Sequence, residues 1–181
     1  MLTIIVPAKE LYFSETNTFE NIGEHTLKLE HSLISISKWE SKWHKSFINT
    51  TNKTVEETIY YIKCMTITPN VNPLVYKCLT AKNFKEINDY INDPMTATTF
   101  SEDNSKPKNS NKKITAEVIY ARMIMSGIPL EWEKRHINQL ITLIRVCESY
   151  QQPAKKMGRS EMLSKRKALN AARRKKYNST G

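Results

Sequence analysis

The sequence predicts a mainly α protein: a small helical domain with a short N-terminal antiparallel β element and a basic C-terminal tail. Apolar residues recur at spacings of three and four from Leu33 to Cys147, the period of an amphipathic helix. Short extended runs and a period-two pattern stand ahead of them. Ten of the 28 Lys and Arg residues crowd into 155–177. The 181 residues suit one domain, divided into a β element at 1–31, a helical body at 32–153 with a loop at 101–113, and a basic tail at 154–181.

Leu2–Val6 is β-branched and apolar until Pro7 stops it, and Leu11–Phe13 is a second extended run. Glu15–Glu24 is polar, with Asn and Gly, and reads as a turn or loop. Thr26–Glu30 alternates, Leu27 and Leu29 against Thr26, Lys28 and Glu30. A small antiparallel sheet of two or three strands is expected. Leu33, Ile36, Trp39, Trp43 and Phe47 make the first helical stripe, an aromatic face read as core. Thr54 and Glu57 stand at capping-box spacing and open a helix to about Met65, with Val55, Ile59, Ile62 and Met65 inward. Asn72 and Pro73 start a short helix over about Pro73–Leu79. The next begins near Thr80, carries Phe84, Ile87 and Ile91, and ends at Asp93-Pro94. Past the polar loop, Ile114, Val118, Ala121 and Met125 form a stripe, and Gly127 fits a left-handed terminus. Pro129 opens another helix, with Ile137, Leu140, Ile141, Ile144 and Cys147 inward, which Pro153 ends. Ser160–Tyr177 is rich in helix formers but carries too few apolar residues for a core, so it frays or is ordered by a partner.

The net charge of +10 is not spread evenly. Residues 155–177 hold ten basic side chains against one acid, Glu161, a charge of +9; the other 18 basic and 17 acidic side chains leave +1. Arguments about anionic partners therefore concern the tail. Lys165, Arg166, Lys167, Arg173, Arg174, Lys175 and Lys176 are the candidate polyanion- or partner-binding residues. Only Tyr177 offers an aromatic platform, so nucleic-acid contact through the tail would be to phosphates and without sequence preference.

The four glycines write neither GxGxxG nor a Walker A loop, which excludes two common phosphate-binding designs. Cys64, Cys78 and Cys147 are odd in number, lack CxxC spacing and read as buried thiols. The histidines, His25, His31, His44 and His136, stand at no metal-ligand spacing. His44 has no nucleophile in a recognisable motif beside it, and His136 reads as a surface or boundary residue. The adjacent acids Glu56-Glu57 and Glu102-Asp103 diverge or fall in a loop, and Glu131 and Glu133 suit a first helical turn. No enzyme activity, cofactor or metal is expected. No run approaches the roughly 20 apolar residues of a membrane span.

Four strings carry a family resemblance: Leu27–Trp43 (LKLEHSLISISKWESKW), Tyr61–Thr66 (YIKCMT), Asn88–Phe100 (NDYINDPMTATTF) and Arg166–Arg173 (RKALNAAR). In order and spacing, over nearly the whole chain, the sequence resembles short tail-module proteins of tailed bacteriophages, of the kind called tail assembly chaperones. The resemblance implies a non-enzymatic helper that coats the tape measure protein before the tail tube polymerises around it. Its partner is the tape measure or another phage structural protein, its place the bacterial host cytoplasm or the virion, and a homo-oligomer is compatible with it. A strongly basic end is not something that role requires. It suits the alternative, a structural virion protein of capsid, neck or tail whose basic tail contacts DNA or an acidic neighbouring subunit.

Overall fold

The protein's structure, a computed structural model, describes residues 1–100, 113–151 and 158–177, without the side chains of Arg159 and Glu161. The expected loop at 101–113 (Lys113 apart), with Glu102 and Asp103 in it, the stop at Pro153, and Lys155 and Lys156 lie outside the described residues. The chain divides into two units, Met1–Cys147 and Glu148–Gly181.

Four strands open the first unit: β1 (Leu2–Val6), β2 (Lys9–Phe13), β3 (Thr18–Ile22) and β4 (His25–Leu29). β1 pairs with β4 and β2 with β3, both antiparallel. Paired residue numbers add to 31 in both ladders: 2 with 29, 6 with 25, 9 with 22, 13 with 18. The ladders are therefore successive halves of one long hairpin. It is interrupted where Pro7, which has no amide proton to donate, and Ala8 lie opposite Gly23 and Glu24. The inner half is built into the core: Ile4, Val6, Leu27 and Leu29 are buried, and Ile5 between them faces out. Across the interruption the inward residues of the first strand change from even to odd numbers, so Leu11 and Phe13 are half-buried and Tyr12 is exposed.

These strands correct the mainly α class. The N-terminal element is not a short sheet of two or three strands but four strands, three of which supply buried core residues, and the fold is α+β, strands first and helices after. The expected loop at Glu15–Glu24 contains β3. Its sequence hides it: only Ile22 of Thr18–Ile22 is buried, so the strand is held by pairing with β2 rather than marked by a buried face.

The helices are α1 (Leu33–Trp43), α2 (Val55–Met65), α3 (Ala81–Asn92), α4 (Ala116–Met125) and α5 (Ile137–Gln151), with 3-10 turns at Pro73–Lys77 and Leu130–Lys134. In the second unit stands α6 (Arg159–Tyr177). Local chemistry explains the starts. The Thr54 hydroxyl accepts from the Glu57 amide at 3.2 Å and Glu57 accepts from the Thr54 amide at 2.9 Å. Thr80 and Asn83 make the same exchange ahead of α3. Asn72 accepts from the Leu74 amide with Pro73 in the first turn. α1 ends at His44, left-handed at φ 52°, and Gly127 follows α4 at φ 67°.

Three helical expectations change. Phe47 is buried but lies beyond α1, which stops at Trp43. The segment after Pro129 is two elements: a 3-10 turn, then α5, whose Ile137 amide donates to the His31 carbonyl at 2.8 Å. The inward face of α4 is rotated, and α2 keeps Ile62 and Met65 inward but not Val55. α4 buries Ala116, Ile119 and Met123, while Val118 and Met125 are 42% and 81% exposed. α2 buries Glu57, Tyr61, Ile62 and Met65, and Val55 faces solvent. Of the three cysteines, only Cys78 is buried; Cys64 and Cys147 are half-buried.

The edges of the inner hairpin are covered. The Ile67 amide donates to the Lys28 carbonyl and the Glu30 amide to the Met65 carbonyl beside β4. Asn83 donates from Nδ2 to the Ile5 carbonyl beside β1 at 2.9 Å. Among the described residues no hydrogen bond from another element reaches β2 or β3.

Candidate interaction surfaces

Most polar side chains buried in the first unit are committed to holding it together; among the described residues, the Trp43 Nε1 is buried without a hydrogen-bond partner. Glu40 is buried in α1, and its two oxygens accept from the Phe47 and Ala116 amides, each at 2.7 Å, tying the end of α1 to the start of α4. Glu57 takes an ion pair from Lys45 at 2.7 Å besides its cap. That pair and the Thr54 bond hold the Glu57 carboxyl below its usual range. Trp39 donates from Nε1 to the Glu57 carbonyl at 2.9 Å. An open polar cleft of about 690 Å³ runs past Glu40, His44, Lys45 and Glu117. In its lining Ser46 donates to the Ile114 carbonyl, and a bond from the Thr115 side chain holds the Glu117 carboxyl below its usual range.

His136, read as a boundary residue, is buried. Its Nε2 donates to the Tyr90 carbonyl at 3.1 Å and its Nδ1 accepts from the Asn138 amide at 3.3 Å, the neutral pattern. The His31 ring lies edge-on to it at 5.0 Å and meets the Tyr61 hydroxyl at 2.5 Å through Nδ1. Burial first, then His136 and Lys53, push His31 down to about 3. Burial also raises Tyr61 well above the usual phenol range, so its proton stays. Two neutral histidines thus pin β4, α1, α2, α3 and α5 about one point.

The seven candidate cations all lie on α6, and each is exposed. Met162, Lys165, Leu169, Arg173 and Lys176, spaced three, four, four and three residues apart, form one stripe along it. Arg166 flanks that stripe, and Lys167 and Arg174 share the opposite side of the helix. Met162, Leu163 and Leu169 are 56%, 52% and 53% exposed, so the basic surface has apolar residues set into it. Arg174, Lys175 and Lys176 also sit in the last turn, where cations complement the helix dipole.

A second exposed surface lies on the outer hairpin, which sequence reading passed over. Tyr12 and Phe19 face each other across the strands with ring centres 4.9 Å apart, 54% and 65% exposed. The signal was the hydrophobic Phe19 inside an otherwise polar stretch.

No family model, curated protein or solved structure matches this chain. Among the described residues, no helix is long and apolar enough to cross a membrane, and no group of three or more His, Cys, Asp or Glu is placed to hold a metal.

Proposed function

We propose that this chain is a tail assembly chaperone of a tailed bacteriophage, a non-enzymatic protein that binds the tape measure protein while the tail is built. The family resemblance of its four strings supports the phage assignment. The observation that carries the binding role is α6: a helix of 19 residues whose described side chains are all exposed, seven of them basic and four of them large and hydrophobic. A helix without a core of its own is marginal, and binding recovers what folding does not supply. The committed carboxylates and histidines of the first unit favour a binding protein over an enzyme.

The seven cations of α6 favour a second reading, a virion protein with α6 on DNA or on an acidic neighbouring subunit. Co-expression with the tape measure protein of the same phage decides between them. A chaperone holds the tape measure in soluble form through purification, and changing Arg173, Arg174, Lys175 and Lys176 to Gln lowers the yield of complex. Recovery of the tape measure as aggregate at equal levels with and without the chain counts against the chaperone reading.

A further inference from the structure

We propose that the outer half of the β-hairpin is a docking surface for α6 of a second copy of this chain, so that molecules join hairpin to helix. The inference rests on reading α6 as a docking helix, and it names what that helix meets.

The hairpin surface is aromatic and acidic. Tyr12 and Phe19 form an exposed pair on one face. Residues 9–24 carry Glu10, Glu15, Glu20 and Glu24 against Lys9 alone, a charge of −3 within a sequence that is otherwise basic. All four acids are exposed, and among the described residues none is in an ion pair. The inner half of the same hairpin has its edges covered by Thr66–Ile67 and Asn83; the outer half has no such cover among the described residues.

α6 presents the complementary order. On its stripe, Lys165 lies before Leu169, and Arg173 and Lys176 after it. On the hairpin, Glu10 shares the face of Tyr12 and Phe19, Glu15 stands in the turn beyond them, and Glu20, paired with Leu11, faces the other side. Lys165 and Arg173 each stand about 6 Å of helix from Leu169, so cations flank it on both sides. Laid along the ribbon, Leu169 and Met162 cover the aromatic pair, the cations reach Glu10 and Glu15, and a cation beside either ring adds a further attraction. The contact is heterologous, a hairpin of one copy on the helix of the next. Each added copy keeps one free hairpin and one free helix, and association does not stop at two. One helix on a two-stranded ribbon falls at the small end of interfaces, so the contact is weak and sensitive to salt.

Sedimentation velocity on the purified full chain tests this. Screening shortens from about 10 Å at 0.1 M salt to about 3 Å at 1 M. The mean mass should rise with concentration beyond a dimer at the lower salt and fall to one copy at the higher. A hairpin variant (Glu10→Lys, Glu15→Lys) and a helix variant (Lys165→Glu, Arg173→Glu, Lys176→Glu) should each remain single alone and associate again when mixed in equal amounts. Circular dichroism checks that each is folded. Phe19→Ser, one exposed change, should weaken association about tenfold and serves where a charge variant misfolds. A wild-type chain that stays single at both salts overturns the proposal. So do variants that associate like wild type, a mixture that does not restore association, and pairing within one chain, read as a mass independent of concentration. Only the purified chain is used, so this result and that for tape measure binding stand apart.

Discussion

His31 and His136 illustrate how a buried titratable group becomes structure. Each is neutral, His136 has both ring nitrogens and His31 its Nδ1 aimed at named partners, and the two rings lie edge to face. Glu30, bonded to the Tyr90 hydroxyl, with Asp93 on one side and Lys53 and the Met1 ammonium on the other, makes up the surrounding charge. Burial is the largest cause of the downward shift at both histidines, and at His136 the Tyr90 carbonyl, Glu30 and Asp93 oppose it. The unfolded chain therefore takes up these protons before the folded one does. Stability is fully present above the unfolded value of about 6.5 and falls as pH drops toward the folded values, by about 1.4 kcal/mol per pH unit for each histidine that stays neutral. A thermal midpoint that is flat above about pH 7 and falls steeply below about pH 6 is the expected record. A midpoint that holds steady down to about pH 4 would show that the pair is not held neutral.

Among the elements, the rotation of α4 is the most instructive. Its sequence, AEVIYARMIM, is apolar nearly all round. Ile114-Val118-Ala121-Met125 and Ala116-Ile119-Met123 both satisfy helical spacing, and periodicity alone does not choose between them. The choice is made by Glu40, whose carboxylate takes the Ala116 amide and fixes where the helix starts. Ile119→Ala should then cost about 2–5 kcal/mol, while Val118→Ala stays within about 0.5 kcal/mol. Chemical denaturation of the two variants measures both; equal losses would place the core face between them. Caps were legible because their chemistry is local: Thr54 with Glu57, Asn72 with Pro73, and Gly127 stand where the sequence places them. β3 was not, because its stabilising partner is β2 and not a buried face. The buried roles of His31 and His136 depend on contacts between residues 30 to 105 positions apart, which no local pattern carries. For α6, the cations and helix formers were readable, but the stripe that sets Leu169 among them is clear only once the segment is known to be one helix.

At the scale of the molecule, every residue of the buried core lies between Ile4 and Ile144, among the described residues. Removing residues 155–181 should leave the thermal midpoint within a few degrees, since exposed groups rarely change stability by more than about 0.5 kcal/mol each. Loss of cooperative melting in the shortened chain would mean that the tail helps to hold the first unit. The molecule then divides its labour between a unit most of whose buried polar groups are used in folding and a helix whose side chains are left for a partner. That division is the basis for reading an assembly protein. Its most direct test is the phage from which the gene has been deleted, viewed by electron microscopy, alongside mass spectrometry of wild-type particles. The account predicts filled heads without tails in the deletion, and no copies of this protein in mature wild-type particles. Normal tails without the gene, or a fixed copy number in purified particles, would contradict it.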